Sequence, residues 1–418
     1  MDLPAEVYAR VFEIGVWKWG IGFLAPLRLT CRQWNDIVLS TPRLYGIINV
    51  GRGYIRKQLD LAKSAPISLT VPSSSSIAES TENILLSTAR NWIYADIPVR
   101  FLITIGSGNA LGGLQSLHLH SWFLDSKGKE IPSDVFDNFW ETAPKNLQYF
   151  SAMNAQCRSL RPLLTSSIID LELHRPTGRD SDSLAQYHHY NYWGRALRPR
   201  LPLDLMCDVV RRLPRLQRLV LAHAELTRVL ESSAPARILL ERLEELDLTD
   251  IGGIAHLLSR LQVPALRTLN ANQTSSDSSN VTWKVVFMQW SQEGWIPLEL
   301  HTLEMAACLE AADMPYFEAW IERLPELLRL YWDAEDIDII PMLKDGKLAS
   351  SLRELNTVGY EDFDDVLEMA RNRKGTLRVL SIPYCGECNE AGKAEMLSLV
   401  DEVKCACLTC QMTGMSTV

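Results

Sequence analysis

Four of the nine cysteines in this 418-residue chain have a spacing that could hold a metal, Cys385-x2-Cys388 and Cys407-x2-Cys410. Two thiolate pairs joined by a loop match the ligand set of a tetrahedral zinc site. A histidine pair, His188-His189, lies in the aromatic run Tyr187 to Trp193, flanked by Arg175, Arg179, Arg195, Arg198 and Arg200. Adjacent strand residues point to opposite sides, and no further ligand stands near this pair. The run therefore reads as a partner-binding loop or an ordinary packed one, since aromatic and arginine side chains are the usual anchors of interfaces. The chain has no glycine-rich phosphate loop, no Gly-x-Ser-x-Gly, no His-Glu-x-x-His and no aspartate cluster spaced for a divalent ion. No catalytic residue, metal site or cofactor is assigned, and the chain is not expected to be an enzyme.

The elements that would position such groups are set by a repeat. Leucine-x-x-leucine-x-apolar begins at Leu114, Leu216, Leu243, Leu266, Leu300, Leu327, Leu352 and Leu377, with looser copies at Leu147 and Ile168. From Leu216 onward the successive starts differ by 27, 23, 34, 27, 25 and 25 residues. Periods in the twenties with this strand core resemble leucine-rich repeats, in which each unit supplies a strand and a helix and buries its neighbour's leucines. Cys385 falls three residues past Ile382, where such repeats carry a cysteine or asparagine, so it has a structural place without zinc. A further strand at Val403 to Leu408 would set Cys410 beside Cys388 on neighbouring rungs, and a zinc cap stays open as the alternative.

Strand alternation then defines an exposed face. With the leucines inward, Glu245, Asp247, Asn270, Thr302, Glu304, Arg329, Tyr331, Asp333, Glu354 and Asn356 line the open side of the sheet. Its middle is weakly acidic. Arg329 and Tyr331 are expected as substrate anchors, with Glu245, Asp247, Glu304 and Asp333 favouring a basic segment. A plainly solvated face, with substrate held by loops, is the other reading. Ahead of the repeats, Gly51 to Ala65 reads as a helix, Ile67 to Val71 as a strand, Ile84 to Ile93 as an amphipathic helix, and Val99 to Ile105 as a strand. Thr274 to Asn280 is a serine-rich insertion read as a turn.

The first forty-five residues differ from all of this. Leu3-Pro4 followed by Glu6 marks a helix start. Val7, Val11 and Ile14 place one apolar stripe on a helix from about Ala5 to Val16. Gly15 to Phe23 reads as a spacer, Leu24 to Leu29 as a second helix, and Trp34 to Val38 as a third that Thr41-Pro42 stops. Three helices this short bury little, and leftover apolar surface implies docking.

The order Leu3-Pro4-x-Glu6-Val7, Val11-Phe12, Leu27-x-Leu29, Cys31-Arg32-Gln33-Trp34 and Pro42-Arg43-Leu44-Tyr45 resembles an F-box, in the form common in mushroom-type fungi. The resemblance implies binding to a Skp-family adaptor, and through it to a cullin-RING ubiquitin ligase. Adaptor contacts carried over by motif position are Leu3, Pro4, Val7, Phe12, Leu27, Cys31 and Trp34. The implied architecture is α/β: a three-helix F-box at 1–48, linking strand-helix-strand units at 49–110, and a leucine-rich-repeat solenoid at 111–418 with a curved parallel sheet and helices on the convex side. The implied function is the substrate-recognition subunit of an SCF-type ubiquitin ligase. A repeat scaffold acting outside any ligase is the alternative.

Composition narrows the partners. Lys and Arg total 42 against 51 Asp and Glu, a formal net charge of -9, which argues against nucleic acid as a partner. No apolar run approaches the roughly 18 residues of a membrane span, and Arg10, Glu13 and Lys18 interrupt the N-terminal apolar stretch, unlike a secretory leader. An odd number of cysteines fits reduced thiols. The expectation is a cytoplasmic or nuclear protein whose partners are the adaptor and an unknown protein substrate.

Overall fold

The computed structural model describes residues 3–405 except 52–53, 73–76, 107, 121–143, 154–162, 175–199, 223, 228–236, 274–282, 307–308, 334–336, 359, 383 and 386–389. The His188-His189 loop, the Thr274 to Asn280 insertion and Cys308, Cys388, Cys407 and Cys410 lie outside the described residues. The chain divides into two compact units, Met1–Pro176 and Thr177–Val418.

The first unit opens with three helices, α1 (Ala5–Trp19), α2 (Leu24–Thr30) and α3 (Arg32–Ser40). Pro4 precedes the first turn and Glu6 lies within it, as the helix dipole favours. α1 runs past the expected end at Val16 and stops at Gly20, whose φ of 80° suits glycine and whose amide donates to the Val16 carbonyl at 2.8 Å. The Gly15 to Phe23 stretch is therefore a packed corner rather than a spacer. A Cβ at Gly15 would collide with the Phe23 ring, and that ring packs on Trp19 at 4.9 Å between centroids. The cassette core joins Ala9, Phe12 and Val16 of α1 to Leu24, Leu27, Ile37 and Val38. It also takes in Ile47 and Ala62, which belong to the following strand β1 (Ile47–Asn49) and helix α4 (Ile55–Ala62). Three short helices thus complete their core by borrowing from the first repeat.

β1 begins a parallel ladder that continues through β2 (Ile67–Thr70), β3 (Trp92–Pro98), β4 (Ser116–His120), β5 (Tyr149–Met153) and β6 (Asp170–His174). Two expectations shift here. Trp92 and Ile93 belong to strand β3, not to the preceding helix α5 (Glu79–Ser87), and Val99–Ile105 is helix α6. A run of β-branched and aromatic residues favours a strand, but Pro98 suits a helix start and Gly106, at φ 64°, caps its end. Meanwhile Trp92, Ala95 and Ile97 already supply the inward row of that repeat.

Among the described residues the second unit carries eight parallel strands in one ladder. They are β7 (Arg218–Ala222), β8 (Glu245–Thr249), β9 (Thr268–Asn272), β10 (Thr302–Ala306), β11 (Arg329–Trp332), β12 (Glu354–Thr357), β13 (Val379–Ile382) and β14 (Glu402–Cys405). Every leucine core recognised in the sequence forms a strand, and the expected strand at Val403 is β14. Leu219, Leu246, Leu269, Leu303, Leu330, Leu355 and Leu380 stand in register as one buried column. Each contributes about 1.5–3 kcal/mol by transfer from water. One carbonyl per repeat also accepts two amides from the next: Gln217 from Glu244 and Glu245, Glu244 from Arg267 and Thr268, Arg267 from His301 and Thr302. Both lone pairs of that oxygen are then used, which fixes the register alongside the leucine packing.

Where spacing widens to 34 residues, helix α7 (Trp283–Trp290) fills the interval. Its Phe287 stacks on Trp320 at 5.4 Å, and Phe317 meets Trp332 at 5.0 Å. Asp313, 3% exposed, accepts the amides of Lys284 and Glu310 at 2.8 and 3.0 Å, tying the start of α7 to the following repeat. Arg373, 2% exposed, donates to the carbonyls of Leu343 at 3.1 Å, Ala349 at 2.9 Å and Leu348. Burial holds its pKa below the ordinary arginine value.

Leu343 and Ala349 keep the amides of Gly346 and Leu352, so Arg373→Met would leave the Leu348 carbonyl without its donor and the other two with one bond fewer, costing about 1–3 kcal/mol. Thermal melts should show a lower midpoint, partly recovered in Arg373→Lys; an unchanged midpoint in Arg373→Met would show that the carbonyls find other donors.

Candidate functional site

α1 has two apolar faces, and only one is buried. Ala9, Phe12 and Val16 face the core, and the Phe12 ring meets Trp34 edge-on at 5.2 Å. Val7, Val11 and Ile14, the stripe that periodicity singles out, are instead 41%, 54% and 57% exposed, and Leu3 is 51% exposed. Val7, Val11 and Ile14 step by four and three residues, so they follow one edge of the helix, while Leu3 precedes the helix, before the extended Pro4. Arg10 and Glu13 bond each other at 2.7 Å beside it.

The seven adaptor positions carried over by motif divide accordingly. Leu3, Pro4, Val7 and Cys31 are exposed. Trp34 is half-buried against Phe12 and Tyr8. Phe12 and Leu27 are buried in the cassette core, where they hold the helices together and present nothing to a partner. Val11 and Ile14 join the exposed group instead. Leu29 and Leu39, also exposed, add apolar surface on α2 and α3.

On the second unit's sheet, register sets Asp247, Asn270, Glu304, Tyr331 and Asn356 in one row across β8 to β12. All are half-buried. Glu245 and Arg329 lie in the neighbouring row with Thr268, Thr302 and Glu354 between and beyond them. Arg329 is not a free anchor, because its Nε lies 3.0 Å from Glu354. Arg218 is likewise held by Glu245 at 2.9 Å. Asp333 follows β11 and donates its amide to the Met305 carbonyl at 2.8 Å. With the arginines neutralised by neighbours, the middle row keeps its carboxylates. Burial, then Asp247, raises the pKa of Glu304, and burial, Asp333 and Glu304 together raise that of Tyr331.

The first unit's sheet carries a cluster that only cross-strand register reveals. Tyr94 stands opposite Ser116 and Asp96 opposite His118. His120 Nε2 lies 3.5 Å from Asp96, and Ser116 Oγ lies 3.0 Å from His118 Nε2. Trp17 of α1 meets Tyr94 edge-on at 5.3 Å. Burial, with Asp96 next, pushes the Tyr94 phenol up to about 12. Burial raises the Asp96 pKa against the pull of His120 and His118. Ser116 and His118 share a contact, but Asp96 is directed to His120, so the three do not form a nucleophile-base-orienter chain.

Among the described residues no group of three or more His, Cys, Asp or Glu is placed to hold a metal ion. No helix among them is long and apolar enough to cross a membrane. No protein-family model and no curated protein matches the chain. One solved structure, the complex of Rad7 and Elc1 from yeast, aligns over 93% of this chain and 91% of that one, with 16% identity and a TM-score of 0.40. At that value the fold rests on this chain's own strand order and register.

Glu304→Gln tests the acidic row. A raised carboxyl pKa means the folded state loses stability as pH rises through it, because the charged form is penalised. The variant should therefore melt above wild type at neutral pH, and the two should converge in acid, where Glu304 is already protonated. Equal melting at both pH values would show that neither burial nor Asp247 penalises the charged form.

Proposed function

We propose that the protein is the substrate-recognition subunit of an SCF-type ubiquitin ligase. The α1 edge formed by Val7, Val11 and Ile14, with Leu3 ahead of it, takes a Skp-family adaptor, and the repeat sheet holds a protein substrate. The observation that carries this reading is that edge: an apolar line exposed on a helix whose other apolar face is already filled. Such surface costs solubility unless a partner covers it. In this reading the chain supplies no bond chemistry. It raises the effective concentration of the substrate near the ligase, and the transfer belongs to associated subunits. The carboxylates of the Asp247–Glu304 row favour a lysine- or arginine-rich segment of substrate.

Co-purification of the full chain with a Skp-family adaptor tests the proposal. Val7→Glu with Val11→Glu should weaken capture at least tenfold while leaving the melting temperature unchanged, because both side chains are exposed. Leu3→Ala with Pro4→Ala should weaken it in the same way. Phe12→Ala should lower the melting temperature itself, by a core truncation of about 3–5 kcal/mol. If wild type captures no adaptor in a quantitative assay, the ligase reading fails and a scaffold outside any ligase takes its place.

A further inference from the structure

A cavity of about 230 Å³ lies in the first unit where α2, the turn after α3 and α4 meet. Leu24 and Leu61 form part of its apolar wall, and Tyr54 stands exposed at its rim. Tyr45 also lines it: its ring is packed away, the residue being 6% exposed, and its hydroxyl, which no described residue bonds, opens to solvent. An accessible phenol is free to donate to a ligand. Arg28 lines the same cavity, and its charge opposes the rise that burial gives the Tyr45 pKa.

Two cations complete the lining, Arg28 and Lys57. Arg28 gives its Nε to Asn35 Oδ1 at 3.0 Å, leaving both terminal amino groups available. Among the described residues neither cation pairs with a carboxylate, and no carboxylate lines the cavity. The repeat arginines behave differently: Arg218, Arg329 and Arg371 each have a glutamate partner. A neutral donor and two unpaired cations over an apolar pocket match a ligand with one greasy end and one anionic end. The volume falls below the roughly 300–1,000 Å³ of pockets for drug-sized ligands, so the greasy end is a single ring or one branched chain.

We infer that this cavity binds a small amphipathic carboxylate, its aryl or branched alkyl group against Leu24 and Leu61 and its carboxylate held by Tyr45, Arg28 and Lys57. Such a ligand would bridge the helical cassette and the first repeat helix and stabilise the chain that holds it. The inference is independent of adaptor binding.

Titration of 3-phenylpropionate into the full chain by calorimetry, with melting followed in parallel, provides the test. One-site saturable binding and a raised melting temperature are expected. Tyr45→Phe keeps the ring and removes only the hydroxyl, and should weaken binding about tenfold. Lys57→Gln, at an exposed position, should also weaken it. The uncharged 3-phenylpropan-1-ol and the ringless acetate should each bind at least tenfold more weakly than 3-phenylpropionate. Absence of saturable binding by wild type, equal binding of the alcohol, or unchanged affinity in both variants would overturn the assignment.

Discussion

No repeat in this chain can cover its own leucines, so each depends on the next one being in register. That dependence is met twice. The leucine column from Leu219 to Leu380 buries a side chain at every rung. The carbonyl preceding each strand, such as that of Gln217 or Glu244, binds two amides of the following unit. A one-residue slip would turn every leucine to solvent and break both of these bonds at once. Between repeats the first inward position stays leucine, while the second takes Leu248, Ala271, Met305, Trp332 and Thr357 in turn.

The same logic explains the cassette. Three helices of 15, 7 and 9 residues cannot close a core, and they lean on Ile47 and Ala62 of the first repeat. The lean fixes which face of α1 turns inward, the one bearing Phe12. The Val7–Val11–Ile14 edge is left outside because the space beneath the helix is already filled by Leu27, Ile37 and Val38. Exposed apolar edge and structural core are thus two sides of one helix, and a change at Phe12 acts through folding where one at Val11 leaves the core intact.

What the sequence makes legible follows from these constraints. Repeat strands are readable because each obeys a fixed leucine spacing, down to the loose copies at Leu147 and Ile168, which form β5 and β6. The Val7, Val11 and Ile14 stripe on α1 is readable as periodic, but periodicity carries no sign of inside or outside, and the contacts carried over by motif mix the exposed Val7 with the buried Phe12. Val99–Ile105 reads as a strand on composition until Pro98 and the completed inward row of Trp92, Ala95 and Ile97 are counted. Pairings between strands, such as Arg329 with Glu354 or Asp96 with His120, and the Tyr45 cavity need register and packing that no local pattern encodes.

Charge is distributed so that the net value of -9 conceals local differences. Arg218, Arg329 and Arg267 are paired with Glu245, Glu354 and Glu299, each contact spanning successive repeats. At the surface each such pair adds at most about 1 kcal/mol, so their larger effect is on the field. With those cations paired, Asp247 and Glu304 stand in a row that holds no cation from Asp247 to Asn356, while Arg28 and Lys57 line a cavity that holds no carboxylate. The sign of charge at each place is therefore set by register and packing, and the net value of an acidic chain says nothing of it.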